Sequence, residues 1–349
     1  MPARLPVKLL ILFLATFVAL VAAELVVRLV WHNPYRHEAA DHVLKVRMHH
    51  PSTDHVFRTH IDSTEARVRL RTNQRSYIFP WSQFDHPDAT VVFFGGSTTE
   101  CLAVPEDTRF PALVSDLLAQ DGLHVNTLNV ARAGNNVHDA INVLINHVVT
   151  DQPDIAVLME ASNDIGVMRS AGGYGPSMGE PASLKLLAKW LVQITSSHSS
   201  LVGLVREAAI PDGLRPKDPA TDWRQTAAPV DSADVRMYRS RLKAFVHICR
   251  DFDIVPVLMT QPYSRYRTAL TPAWLDETAQ DQFNDVIRAV GKSEGVLVID
   301  LVAHLRADVT DWDQPNEIFY DAIHVTNRGS QVYAEYIALE LRPLVAKTR

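Results

Sequence analysis

Short apolar runs alternate with amphipathic stretches along most of the chain. Five runs are rich in β-branched and aromatic residues and have the length of buried strands: 90–94, 125–130, 155–159, 254–260 and 296–301. Apolar residues at helical spacing lie between them, as across 110–120, and a last amphipathic helix is predicted over about 330–345. This alternation predicts an α/β fold, a three-layer sandwich in which helices cover both faces of a central parallel five-stranded sheet.

The first residues have a different pattern, a positive flank followed by a long apolar run. Arg4 and Lys8 lie at its start, and the stretch over 7–31 is long enough to cross about 30 Å of hydrocarbon as a helix. A positive flank marks the end that stays in the cytoplasm, so we expect 1–6 to be cytoplasmic and 7–31 to be a transmembrane signal anchor. The rest of the chain is then expected on the periplasmic or extracellular side of the cell membrane, held by a single pass.

A second interpretation of this run stays open. Glu24 and Arg28 are four residues apart and can pair on a helix, with Trp31 near the far interface, as an uncleaved anchor requires. The sequence Val21-Ala22-Ala23 instead has the small residues that precede a signal-peptidase cleavage site. Both interpretations predict export of the domain that follows.

Two stretches depart from the regular alternation. Residues 32–87 are polar and weakly periodic, and we expect a membrane-proximal segment whose clustered histidines, in no zinc spacing, lie in a solvated loop: His49, His50, His55 and His60. Residues 171–235 are rich in Gly, Ser and Pro, which predicts an insertion over the ligand-binding face, as a lid or substrate platform. The folded domain is therefore predicted over 88–349, with this insertion inside it.

Composition narrows the classes of partner. The 349 residues carry a formal net charge of -6, and no basic stripe is present to bind phosphates, so we expect no nucleic-acid partner. The two cysteines, Cys101 and Cys249, have no metal-type spacing; they can form one disulfide in an oxidising compartment or remain free. We expect neither a metal nor a cofactor.

The first predicted strand ends in a glycine turn that presents a serine. Gly95 and Gly96 let the backbone turn sharply, so that the hydroxyl and the N–H of Ser97 can face one cleft. Ligands of parallel sheets bind beyond the carboxyl ends of the strands, which is where this loop lies. It is not a phosphate-binding P-loop, because no Gly-Lys-Ser/Thr follows, and Thr99 replaces the last glycine of a Gly-x-Ser-x-Gly elbow.

Three further features follow in chain order. Gly134, after the second strand, can present a bare backbone N–H, and the carboxamide of Asn163, after the third, can donate to a developing oxyanion. Asp321 and His324 are three residues apart, so the carboxylate can fix the tautomer of an imidazole that takes a proton from a serine. Taken singly, each feature also has an ordinary explanation as a turn, a helix cap or a metal ligand.

Together these features resemble the SGNH (GDSL-like) hydrolase family, in a membrane-anchored bacterial form, over about 90–347. The resemblance implies a flavodoxin-like SGNH hydrolase domain in which Ser97 is the nucleophile, His324 the general base and Asp321 the residue that orients it. It also implies an oxyanion hole made by the N–H groups of Ser97 and Gly134 and the side chain of Asn163.

Two positions depart from the pattern of that family. Gly96 stands where the family has Asp, and Ala161 replaces the glycine that usually lies two residues before the Asn. The first change leaves the nucleophile in place. The second can narrow the pocket or tilt the Asn163 side chain.

The resemblance and the expected location predict a serine esterase. Its substrate would be an acylated small molecule or glycan, with O-acetyl groups of cell-envelope or extracellular glycans removed by hydrolysis. One alternative is an O-acyltransferase that acts on a surface polysaccharide with the same residues. Another is a non-catalytic glycan-binding or assembly protein, although binding alone needs no proton relay.

Overall fold

The structure is a computed structural model in which the following residues are described: 4–31, 33, 46–61, 64–81, 83–171, 174, 191–192, 194–196, 198–209, 230–265, 275 and 277–348. The chain divides into two compact units. The first comprises Met1–Lys45 and Ser177–Thr221, and the second comprises Val46–Pro176 and Asp222–Arg349. Each unit is described by itself.

The strands belong to the second unit. In chain order they are β1 Asp54–Ile61, β2 Thr64–Arg71, β3 Ala89–Gly95, β4 Val125–Asn129, β5 Ile155–Met159, β6 Val255–Met259 and β7 Leu297–Ile299. β1 and β2 form an antiparallel hairpin, and the other five form one sheet in the order β4-β3-β5-β6-β7, with every neighbouring pair parallel. The predicted parallel five-stranded sheet is confirmed. Its order is the flavodoxin-like one, in which the chain reverses direction across the sheet between β3 and β5.

Ten helices are described, two of them in the first unit and eight in the second. Those of the first unit are α1 Arg4–Val30 and α6 Ser200–Ala209. Those of the second unit are α2 Ser97–Glu100, α3 Phe110–Gln120, α4 Val137–Asn146, α5 Ser162–Ala171, α7 Ser232–Asp251, α8 Glu277–Glu294, α9 Leu301–Asp308 and α10 Asn327–Thr348. Short 3₁₀ turns lie at Glu106–Thr108 and Val148–Asp151.

Alternate residues of each strand supply two hydrophobic layers, one on each face of the sheet. On β3, Phe94 packs edge-on against Phe245 of α7, whereas Phe93 packs edge-on against Phe110 of α3. Because successive side chains of a strand point to opposite faces, one apolar run supplies both layers. The predicted three-layer sandwich is thus confirmed. Both cysteines are free thiols, buried in opposite layers, so the alternative of a disulfide between them does not hold.

Residues 46–81 are part of the second unit rather than a separate appendage. The N–H of Ile78 donates to the carbonyl of Asn129 at the end of β4, at 3.0 Å. The prediction of a solvated histidine loop is wrong for His49, whose side chain is 15% exposed and hydrogen-bonded to Glu100. A contact of this kind has no local pattern in the sequence, because its partners lie 51 residues apart.

The first unit contains α1, in which 8–30 is long and apolar enough to cross a membrane. The predicted pair forms: Arg28 Nε donates to Glu24 Oε1 at 2.7 Å. The same carboxylate accepts the N–H groups of Ser200 and Leu201 at 2.8 and 2.9 Å, so it caps the start of α6. Two parts of the predicted insertion, 175–190 and 210–229, lie outside the described residues.

Candidate active site

Ser97 is the first residue of a short helical turn directly after β3. At Gly95, a Cβ would lie 2.0 Å from Thr99 Oγ1, so only glycine permits the turn to close this tightly. The N–H of a first helical residue has no acceptor within its own helix. The turn therefore presents both the hydroxyl and the backbone N–H of Ser97 at the carboxyl edge of the sheet.

The structure brings the side chains of Ser97, His324 and Asp321 into one hydrogen-bonded chain. His324 Nε2 lies 2.7 Å from Ser97 Oγ, and His324 Nδ1 lies 2.6 Å from Asp321 Oδ2. Asp321 Oδ1 accepts the N–H groups of Ile323 and His324 at 2.9 and 2.8 Å, which fixes the carboxylate in place. With Nδ1–H donating to Asp321, Nε2 is left as the acceptor for the serine proton.

Opposing effects act on the carboxyl group of Asp321. Burial by itself raises its pKa, but the hydrogen bond and the charge interaction with His324, together with the backbone N–H bonds, outweigh burial and lower the pKa below its usual value. Asp321 is therefore an anion beside the imidazole. On the ring itself, Tyr320 stacks against His324 with centroids 5.6 Å apart and planes 14° from parallel. Both neighbours restrict rotation of the imidazole.

Gly134, in the turn after β4, and Asn163, in the first turn of α5, lie close to the serine turn. Asn163 Nδ2 donates to the carbonyl of Asn135 at 2.6 Å, and Gly134 has a φ of +78°, a conformation that favours glycine. A Cβ at Gly96 would lie only 2.2 Å from Asn163 Nδ2. In this structure the Asn163 amide therefore occupies the space that a side chain at position 96 would take.

The first turn of α5, which carries Asn163, is tied to its neighbours by buried polar groups. Asp164 accepts the N–H of Val137 at 3.2 Å and the hydroxyl of Tyr174, which joins the starts of α5 and α4. Burial raises the pKa of Asp164 to about 7, although these hydrogen bonds lower it in part. The neighbouring Glu160 has a pKa raised well above its usual value by burial and by the Asp164 carboxylate. The two acids therefore sit in an environment that favours their protonated forms.

Gln261 was not predicted from the sequence, yet it connects two loops of the site. Its Oε1 accepts the N–H groups of Ala161 and Ser162 at 2.9 and 2.8 Å, and its Nε2 donates to Thr98 Oγ1 at 2.9 Å. The signal available was position alone: Gln261 follows β6 at the same edge of the sheet. Ala161, in place of the family's glycine, is fully buried beside it.

Residues of the 46–50 segment also touch the site, and nothing in the sequence pattern indicated this. Arg47 donates to the carbonyls of Gly134 and Ala133, and Glu100, held by His49, accepts the N–H of Ala133. Within the described ranges, no three His, Cys, Asp or Glu side chains lie close enough together to bind a metal ion.

A small pocket opens beside Ser97 and His324. Its walls are mainly apolar and come from the turn after α2 and from the loop before α10: Cys101, Leu102, Ala103, Val104, Tyr320 and Val325. Its volume is about 10 Å³, which is room for roughly one water molecule. The pocket beside Ser97 is therefore narrow, and it favours a small group over a long chain.

Comparison with known proteins identifies one family. The GDSL-like lipase/acylhydrolase family matches residues 93–332, a range that includes Ser97, Gly134, Asn163, Asp321 and His324. No curated protein sequence matches the chain.

Several solved structures are similar in outline. An acetyl xylan esterase has 14% identity and a TM-score of 0.46, with 71% of this chain and 97% of the other covered. A lipase/acylhydrolase from Enterococcus faecalis has 18% identity and a TM-score of 0.45, with 73% and 96% covered. The acetylxylan esterase Axe2 from Geobacillus stearothermophilus has 16% identity and a TM-score of 0.45, with 72% and 94% covered. Similarity at this level does not indicate a shared substrate.

Proposed function

The chain belongs to the GDSL-like lipase/acylhydrolase family, a family of serine ester hydrolases, and we propose that Ser97, His324 and Asp321 are the residues with which it cleaves an O-acetyl ester. The observation that carries this proposal is the hydrogen-bonded chain from Ser97 Oγ through His324 to Asp321. Nucleophile, base and orienting acid stand in contact in the arrangement that acyl transfer through a serine requires.

In the first step, Ser97 Oγ attacks the ester carbonyl while His324 Nε2 takes the hydroxyl proton. Asp321 stays ionised and stabilises the imidazolium that forms. His324 then returns the proton to the leaving alcohol oxygen, the ester C–O bond breaks, and the acyl group remains on Ser97. In the second step, water gives a proton to His324 and attacks the acyl carbonyl. The bond between the acyl carbon and Ser97 Oγ then breaks, and His324 returns the proton to Ser97 Oγ, which releases the acid and restores the serine.

Three donors stabilise the oxyanion of each tetrahedral intermediate: the N–H groups of Ser97 and Gly134 and the carboxamide of Asn163. The Asn163 amide has two hydrogens, and one of them is already used on the carbonyl of Asn135. We propose that the second donates to the oxyanion, while the first fixes the direction of the amide. Loss of one such donor typically costs about 10²–10³ in kcat.

The size of the pocket supports a short acyl group. The space beside Ser97 has room for roughly one water-sized group between Leu102, Val104 and Tyr320, which favours an acetyl group over a longer acyl chain. The apolar helix over 8–30 supports a membrane anchor, and we infer that the catalytic unit lies on the outer side, where acylated glycans of the cell envelope are its substrates.

The test uses the full chain in detergent, with p-nitrophenyl acetate, butyrate and octanoate as substrates and Ser97→Ala beside the wild type. We expect turnover of acetate well above that of the longer esters, and loss of turnover by at least roughly 10³-fold in Ser97→Ala with an unchanged thermal midpoint. Wild-type rates in Ser97→Ala would exclude Ser97 as the nucleophile. A preference for octanoate would exclude a site that selects short acyl groups.

An acetylated oligosaccharide then separates hydrolysis from transfer. Release of free acetate supports the esterase. Transfer of the acetyl group to a second oligosaccharide, with little free acetate, would replace it by an O-acyltransferase that uses the same residues. If the folded protein neither hydrolyses esters nor reacts with a fluorophosphonate at Ser97, both catalytic functions are excluded and the non-catalytic glycan-binding function is favoured.

A further inference from the structure

We propose that Arg47 is a positioning residue for catalysis: it aims the backbone N–H of Gly134 at the oxyanion. The inference rests on the proposed function, because it takes Gly134 as an oxyanion donor. It adds a residue from outside the matched family range, since Arg47 lies 46 positions before residue 93. The proposal comes from the way in which one peptide group is held.

Arg47 donates hydrogen bonds to the Gly134 loop from both terminal nitrogens of its guanidinium. Nη2 donates to the carbonyl of Ala133 at 3.2 Å, and Nη1 donates to the carbonyl of Gly134 at 3.1 Å. The fit is close, because a Cβ at Gly134 would lie 3.0 Å from Nη2. A planar fork with fixed donor spacing can hold two successive carbonyls in a way that a single ammonium group cannot.

The Ala133 carbonyl and the Gly134 N–H belong to the same peptide group. A peptide is planar and trans, so its C=O and N–H point in opposite directions. When Arg47 holds the carbonyl on one side, the N–H is directed to the other side. A cation on the carbonyl also polarises the peptide, which makes its N–H a stronger donor.

The preceding peptide is held independently. The N–H of Ala133 donates to Glu100 Oε2 at 3.1 Å, and the other oxygen of this carboxylate lies 2.5 Å from His49 Nε2. The Glu100 side chain is only 4% exposed, so its contacts are made out of water and hold it strongly. Ala133 is thus fixed at its N–H through Glu100 and at its carbonyl through Arg47.

The backbone of the 46–50 segment is hydrogen-bonded to the Gly134 loop, which fixes the position of Arg47 beside it. Asn135 Nδ2 donates to the carbonyl of Arg47 at 3.0 Å, and Arg132 Nη1 donates to the carbonyl of Met48 at 2.6 Å. These bonds set the position of the Arg47 backbone. The guanidinium of Arg47 also lies near Asp139, with Nη1 3.4 Å from Oδ2. Because the arginine side chain is 43% exposed, this ion pair by itself contributes little to holding the side chain.

The experiment compares Arg47→Met, which keeps the length of the side chain and removes its donors, with Arg47→Lys in the full chain. Arg69→Met is the matched control, because Arg69 forms an exposed ion pair with Asp54 and is 50% exposed. With p-nitrophenyl acetate, kcat should fall roughly 10- to 100-fold in Arg47→Met with KM nearly unchanged. Arg47→Lys should recover part of the loss, and Arg69→Met should retain the wild-type kcat.

The pH profile adds a readout that a loss of general stability does not produce. Arginine stays charged throughout the working range, so the loss in Arg47→Met should be the same factor at every pH, with the acid limb unmoved. Wild-type kcat in a folded Arg47→Met, or a loss confined to KM, would overturn the proposal. If Arg47→Met does not fold, Arg47→Gln decides by the same criteria. Wild-type activity in Ser97→Ala would instead overturn the proposed function itself.

Discussion

The two sides of the proposed active site, the nucleophile side and the oxyanion side, are held in different ways. On the nucleophile side, Ser97, His324 and Asp321 bond to one another, and Asp321 is fixed by backbone N–H groups of its own loop. On the oxyanion side, Gly134 and Asn163 are oriented by residues outside the motif, through bonds that span up to 87 positions. The nucleophile side is therefore held by bonds among its own three residues and one local loop, although Ser97 and His324 lie 227 positions apart, whereas the oxyanion side depends on supporting residues elsewhere in the fold.

This difference separates two kinds of sensitivity to mutation. Changes on the nucleophile side act on the proton relay directly and should be large. Changes on the oxyanion side act by shifting a donor through its supports, so they should be smaller and should be shared among several residues. Substitutions on each side, in order of expected effect, test this.

Asp321→Asn should give the largest loss among these substitutions. The amide cannot stabilise the imidazolium and favours the wrong tautomer, so kcat should fall on the order of 10³–10⁴-fold. In the wild type, the lowered pKa of Asp321 keeps its carboxylate charged as the pH falls, so Asp321 should add no proton of its own to the acid limb of the pH–rate profile. A limb with the slope of two protons, or a loss in kcat below about tenfold, would contradict this assignment.

Gly96→Ala should impair the oxyanion side by displacing a donor rather than by removing one. The new Cβ would stand 2.2 Å from Asn163 Nδ2, so the amide must move, and kcat should fall by roughly 10²-fold, close to the loss in Asn163→Ala. Because both act through one donor, the double variant should be little worse than Asn163→Ala alone.

The control for this series is Gly122→Ala. A Cβ at Gly122 meets no atom within 4 Å, but its φ of +76° strains alanine, so stability should fall while activity remains. Additive losses in the double variant, or full activity in Gly96→Ala, would show that Gly96 and Asn163 are independent.

Asp164→Asn should have the smallest effect on rate and instead alter the pH dependence of stability. Because burial raises the pKa of Asp164 to about 7, the folded chain holds a proton between about pH 4 and 7 that the unfolded chain releases. Stability should therefore fall as the pH rises through this window, by at most about 1.4 kcal/mol per pH unit for one proton. The asparagine should flatten that slope in thermal unfolding. The control is Asp54→Asn, at an exposed carboxyl whose pKa is lowered by Arg69, and it should leave the slope unchanged. An unchanged slope in Asp164→Asn would contradict the raised pKa of Asp164.

Much of the fold and of the motif follows from the sequence for one physical reason. The carboxyl ends of parallel strands meet at one edge, so residues directly after predicted strands, such as Ser97, Gly134 and Asn163, were expected to converge. Asp321 and His324, three residues apart on one loop, needed only local geometry. The strand positions were predictable because buried parallel strands are continuous apolar runs. The boundaries were less so: the run over 296–301 contains only the strand Leu297–Ile299, and Leu301 begins α9.

The supports of the oxyanion side were not predictable, since each is a tertiary contact without a local pattern. Arg47 and His49 fall in a polar, weakly periodic stretch that is typical of a solvated loop, although both reach the Gly134 loop, His49 through Glu100. Glycine at position 96 could only be explained once the position of the Asn163 amide was known. Long-range polar contacts of this kind are where sequence patterns carry the least information.

The most direct test of the central claim is to trap the acyl-enzyme. The full chain is mixed with p-nitrophenyl acetate and quenched in acid, and its peptides are then examined by mass spectrometry, with Ser97→Ala treated in parallel. We expect an acetyl group on Ser97 of the wild type and on no residue of the variant, with the modification removed when the ester is exhausted. Stable acetylation of another residue, or ester turnover in Ser97→Ala at the wild-type rate, would contradict it.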